Sequence, residues 1–72
     1  MSKIPALTPR KIIVVLEKAG FCFIRQKGSH RMYMKGKTML VIPYHNKDLK
    51  KGTIIKIIKQ TGLTLEEFLD LM

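Results

Sequence analysis

Phe21-Cys22-Phe23-Ile24-Arg25-Gln26-Lys27-Gly28-Ser29-His30-Arg31-Met32-Tyr33-Met34-Lys35-Gly36-Lys37-Thr38-Met39-Leu40-Val41-Ile42 is rich in aromatic and β-branched residues and is cut twice by glycine. That pattern predicts three strands, Phe21–Gln26, about His30–Lys35 and Thr38–Ile42. Lys27-Gly28-Ser29 reads as one turn and Gly36-Lys37 as a tight second one. Upstream, Thr8-Pro9 reads as a helix start: a hydroxyl N-cap, then proline at the first helical position. Ile12, Ile13, Val15, Leu16 and Ala19 follow at helical spacing, and Gly20 stops the helix. Downstream, Pro43 to Lys51 reads as a polar loop. Thr53 is placed to cap a helix through Ile54, Ile55, Ile57 and Ile58, ending near Gly62. Thr64 with Glu67 forms a capping box for a last short helix, whose apolar stripe is Leu65, Phe68, Leu69 and Met72.

The order α-β-β-β-α predicts an α+β fold, an antiparallel meander with its helices on one face. The opposite face is then left open. The third strand is apolar in both phases, Leu40 and Ile42 on one side, Met39 and Val41 on the other. In a meander it lies at an edge. Met39 and Val41 therefore either mark a protein contact or lie beneath the terminal helix or the loop.

A chain of 72 residues makes one domain, 1–72, with an expected radius of gyration of ~11 Å. A core this small disfavours a deep enclosed cavity and puts any chemistry on a surface. The longest apolar run, Met39 to Tyr44, is far short of the ~20 residues of a membrane span. Met1-Ser2-Lys3-Ile4-Pro5 lacks the apolar core of a signal peptide. The single cysteine, Cys22, excludes an internal disulfide framework and fits a reducing cytosol. Charge is the strongest compositional signal. The formal net charge is +9, from 14 Lys and Arg against 5 Asp and Glu. Residues 1–63 hold all 14 cations and only Glu17 and Asp48, a balance of +12, while residues 64–72 carry −3. This asymmetry suggests a polyanionic partner, or else a lysine-rich solubilising surface. Eleven of the cations are lysine, which suits phosphate rather than base edges, so backbone contact should outweigh base readout.

Few residues could do chemistry. No paired carboxylates, CxxC, HExxH, P-loop or GxGxxG motif occurs. Cys22, His30 and His45 match no standard metal-site spacing, so no metal and no cofactor is expected. Gly28-Ser29-His30-Arg31 is the most suggestive stretch. A glycine turn lets backbone approach a phosphate, Ser29 can donate a hydrogen bond, and Lys27 and Arg31 bracket the site with charge. His30 is the one residue there whose unperturbed pKa suits proton transfer near neutrality. RNA carries its own nucleophile, the 2′-hydroxyl. Metal-free cleavage needs a base for that proton, cations for the phosphate and an acid for the leaving 5′-oxygen. A structural strand-start histidine is the plainer reading. Tyr33 either stacks on a base or packs. His45 either supplies the acid or pins its loop. Lys47, Lys50 and Lys51 read equally as phosphate contacts or as a solvated loop.

Gly28-Ser29-His30-Arg31-Met32-Tyr33 resembles the Gly-Ser-His-x-x-aromatic signature of the HicA toxins of bacterial and archaeal toxin–antitoxin systems. Leu16-Glu17-Lys18-Ala19-Gly20-Phe21 resembles the end of that family's first helix. Pro43-Tyr44-His45 resembles its Pro-x-His, and Lys51 to Gly62 its Lys-Gly-Thr-hydrophobic helix start. The resemblance covers nearly the whole chain in order. It implies a double-stranded-RNA-binding-domain-like fold and a metal-independent mRNA ribonuclease that halts translation. The signature histidine carries over to His30. A HicB-type antitoxin is the implied protein partner. The short turn Gly36-Lys37 and the apolar Met34 depart from the family pattern without touching the signature.

Three functions compete on these residues: a ribonuclease toxin, a non-catalytic RNA-binding module of the same fold, and a small basic DNA-binding regulator. The histidine in the glycine turn favours the first, because phosphate binding alone needs no histidine. The α-β-β-β-α order disfavours a helix-turn-helix regulator.

Overall fold

Thr8 is extended and Pro9 takes the first helical position, so α1 (Pro9–Lys18) starts where the missing proline N–H costs nothing. The Thr8 side chain makes no capping bond; its carbonyl accepts from the Lys11 and Ile12 amides. The structure, a computed structural model, describes residues 4–72. Met1, Ser2 and Lys3, on which the signal-peptide reading partly rests, lie outside the described residues. After α1 the chain reverses at Gly20, whose φ of +101° few side chains tolerate. Lys35 Nζ donates to the Ala19 carbonyl at 2.7 Å, placing a cation at the end of α1.

Three strands follow, β1 (Cys22–Lys27), β2 (His30–Lys35) and β3 (Thr38–Pro43), in one antiparallel sheet with β2 central. Both hairpin turns have two residues, Gly28-Ser29 and Gly36-Lys37. Each begins with a glycine at φ +58°, as a type II′ turn requires. β1 is displaced by one residue from expectation. Lys27 pairs with His30 and so extends the strand, while Phe21 leaves the sheet and is buried. Its amide donates to the Leu16 carbonyl instead. β3 also gains a residue, because Pro43 pairs with His30. A proline is tolerated there on an edge strand.

Between Phe23 and Arg25 the β1–β2 register shifts by a bulge, leaving Ile24 as the extra residue. Phe23 opposes Tyr33, whereas Arg25 opposes Met32. Phe23 and Arg25 therefore face opposite sides of the sheet, although simple alternation puts them on one.

Leu49 is buried and its amide donates to the Leu7 carbonyl at 2.8 Å, tying the loop after β3 to the segment before α1. With the loop anchored there, α2 (Lys51–Thr61) begins at once, with Lys50 at the N-cap. The expectation of Thr53 as cap is thus corrected: it lies within the first turn. Gly62 closes α2 in the left-handed conformation, φ +80°. α3 (Leu65–Asp70) carries the expected capping box. Thr64 Oγ1 accepts from the Glu67 amide at 3.1 Å, and Glu67 Oε1 accepts from the Thr64 amide at 2.9 Å.

All three helices bury residues in one core. Ile12, Val15 and Leu16 of α1, Ile54, Ile57 and Ile58 of α2 and Phe68 of α3 join Tyr33, Leu40 and Ile42 of the sheet. Each fully buried aliphatic side chain here contributes about 1.5–3 kcal/mol. Met72 does not join the α3 stripe and stays exposed. The radius of gyration is 11.3 Å, as a single small domain requires. Across the sheet, Ile24, Met34, Met39 and Val41 are exposed, Met39 by 53% and Val41 by 44%. Neither the terminal helix nor the loop covers them. Among the described residues, no helix is long and apolar enough to cross a membrane.

Candidate active site

His30 opens β2 directly after the Gly28-Ser29 turn and is exposed. Its register partners are Lys27 on β1 and Pro43 on β3. Directly opposed residues of an antiparallel pair share a face, so Lys27 stands beside His30 on the open side of the sheet. Met32 shares that face, and so does Arg25, its register partner two residues before Lys27, with Nε lying 3.3 Å from Met32 Sδ. Arg25, Lys27 and His30 thus form a cationic strip on the open face. Arg25 was not singled out from the sequence, although its spacing of two from Lys27 on one strand was the local signal that puts both on one face.

Arg31 faces the other way. The expectation that Lys27 and Arg31 bracket one site is corrected by alternation along β2. Arg31 Nε donates to Gln26 Oε1 at 2.9 Å, and Gln26 Nε2 donates to the Gly28 carbonyl at 2.9 Å. The Arg31 guanidinium lies 3.8 Å from the Tyr44 ring centroid and 5.5 Å from that of Phe23. Tyr33 shares this helix-side phase, and the base-stacking reading is corrected there: it is 1% exposed, in edge contact with Phe23. Its neighbours Leu40 and Ile42 are equally buried, so no base can reach it.

The loop after β3 folds back on the turn. The Tyr44 amide donates to the Ser29 carbonyl at 2.6 Å. His45 Nδ1 accepts from the Lys47 amide at 3.1 Å, which pins the loop and leaves Nε2 as the free nitrogen. Lys47 therefore stays with His45. Lys50 and Lys51 are exposed at the start of α2, beyond the buried Leu49. Cys22 lies at the opposite end of β1 from Lys27, and hence from His30. Among the described residues, no three of His, Cys, Asp and Glu gather as metal ligands.

On the helix side of the same sheet end, Thr8, Arg10, Tyr44, His45 and Asn46 line a surface cleft of about 430 Å³. Hydrogen bonding from Arg10 is the largest cause of a lowered Tyr44 pKa; burial opposes it, and the charges of Arg31 and Arg10 add to it. Thr8 was read as a helix start and Tyr44 and Asn46 as loop, Tyr44 also within Pro43-Tyr44-His45, and Arg10 was not singled out. No local signal marks them, because they meet through contacts between segments more than thirty residues apart in sequence.

The glycine turn, the histidine and the order of elements can be compared with known families. Residues 9–63 match the family model of the HicA toxin of bacterial toxin–antitoxin systems. The chain belongs to this HicA toxin family. The match spans α1, the whole sheet and α2, so it includes His30 and both strands that flank it; α3 lies beyond it. A search of curated proteins returned no match. As a HicA-family toxin, the protein has an antitoxin as its counterpart.

Proposed function

We propose that this toxin is a metal-independent endoribonuclease of the cytoplasm that cuts mRNA and so halts translation. His30 takes the proton from a ribose 2′-hydroxyl. The freed oxygen attacks the adjacent phosphorus, the P–O5′ bond breaks, and the 5′-oxygen leaves with a proton from a general acid. The products are a 2′,3′-cyclic phosphate and a 5′-hydroxyl end. Lys27, Arg25 and the Gly28-Ser29 turn hold the phosphate and offset its developing charge. Lys47, Lys50 and Lys51 track the RNA backbone. A HicB-type antitoxin silences the enzyme by covering His30 and the apolar open face of the sheet.

The observation that carries this reading is the exposed histidine in a glycine turn, register-paired with a lysine on a face no helix covers. An exposed strand-start histidine with a purely structural role needs no such cationic surround. The test is His30→Ala. RNA cleavage should fall by about 10²–10⁴-fold and growth arrest should be lost, while circular dichroism and RNA affinity stay near wild type. A variant that arrests growth like wild type would show that His30 is not the catalytic group. Wild-type protein that binds RNA without cutting it would favour the binding module.

A further inference from the structure

The cleft on the helix side of the sheet end has no role in the chemistry above. It lies next to His30: the Tyr44–Ser29 backbone bond joins its wall to the residue before the histidine. Its side chains are Thr8, Arg10, Tyr44, His45 and Asn46, a set rich in hydrogen-bond donors and without a carboxylate. Arg10 is exposed and lines the cleft together with Tyr44, and a guanidinium fork matches phosphate oxygens two at a time. Base stacking on Tyr44 is disfavoured, because Arg31 already lies 3.8 Å from its ring centroid. The Arg31–Gln26–Gly28 hydrogen bonds connect that stacked ring to the turn carrying His30.

We propose that this cleft holds the RNA phosphodiester next to the one cut at His30, with Arg10 as its charged anchor and the Tyr44 hydroxyl as a second donor. The strand then crosses the sheet end, from the cationic strip on the open face to the cleft on the helix side. The lowered Tyr44 pKa fits a hydroxyl already polarised by guanidinium groups. The proposal rests on the ribonuclease reading and adds to it a second phosphate position.

The test uses binding, so that it stands apart from cleavage. The probe is a short RNA made uncuttable by one 2′-deoxynucleotide at the scissile position. Two further versions each carry an uncharged methylphosphonate, on one or the other side of that position. Wild type, Arg10→Gln and Tyr44→Phe are compared, with thermal melts to establish folding; Tyr44→Phe keeps the ring under Arg31. We expect one of the two methylphosphonates to weaken wild-type binding about tenfold. Arg10→Gln should lose a similar factor on the unmodified RNA and little more on that methylphosphonate version. Tyr44→Phe should lose a smaller factor with the same coupling. Unchanged affinity of Arg10→Gln, or losses that simply multiply, would overturn the subsite. The ribonuclease reading is judged separately, by His30→Ala cleavage. Failure of wild type to bind any of the RNAs would overturn both.

Discussion

Lys27, His30 and Arg31 lie within five residues, yet they serve two sides of the molecule. His30 and Lys27 share the open face, while Arg31 turns toward Tyr44. Proximity in sequence revealed the histidine in its glycine turn but misplaced Arg31, because strand alternation outweighs nearness along the chain. Tyr33 teaches the same lesson. Three residues beyond the histidine it suggested a stacking platform, but it belongs to the phase that faces the helices. Tyr33→Ala should therefore cost about 3–5 kcal/mol of folding stability, read by urea unfolding. A stacking residue would instead lose RNA affinity at unchanged stability.

At the scale of elements, the short helix α3 depends on its capping box. Thr64→Ala should destabilise the protein by about 0.5–2 kcal/mol. The box also predicts a pH effect. Hydrogen bonds from the Thr64 backbone, then from its side chain, hold the Glu67 pKa below its ordinary value, with burial opposing slightly. A carboxylate lowered on folding stabilises fully above its unfolded pKa and loses that effect as pH falls through the folded value. Wild type should lose part of its stability in mild acid, and Thr64→Ala should lose less over the same range; equal acid sensitivity in thermal melts would contradict this. The sheet carries the other element-scale prediction. Ile24, Met34, Met39 and Val41 form an apolar surface beside the cationic strip. Amide exchange with and without the antitoxin should show protection across residues 27–42. Protection confined to α1, α2 and α3 would refute the open face as the docking surface.

For the whole molecule, the proposed ribonuclease reading combined with the net charge of +9 predicts salt-dependent RNA binding. The log–log dependence of RNA affinity on salt should have a slope of roughly −2 to −4, at about −0.7 per phosphate neutralised on a single strand. Replacing Lys27 or Lys47 by alanine should flatten the slope without changing which sequences are cut, since ammonium–phosphate contacts carry little base information. Cleavage should persist in chelator and yield 2′,3′-cyclic phosphate ends. Loss of activity that added divalent metal restores would overturn that mechanism and leave the fold intact. The sequence by itself determined the order of elements, the glycine-bearing hairpin turns, the Thr64–Glu67 cap and the histidine that follows the first turn. Each of these is local, set by φ requirements, hydrophobic period or neighbours within a few positions. Tertiary structure alone decided which face of the sheet the helices leave open and which distant segments meet beside His30. The bulge at Ile24 sets Phe23 on the face opposite Arg25, and the Leu49–Leu7 and Tyr44–Ser29 bonds draw Arg10 and Tyr44 into one cleft. Those outcomes depend on register and on contacts between distant segments, which no local pattern of residues encodes.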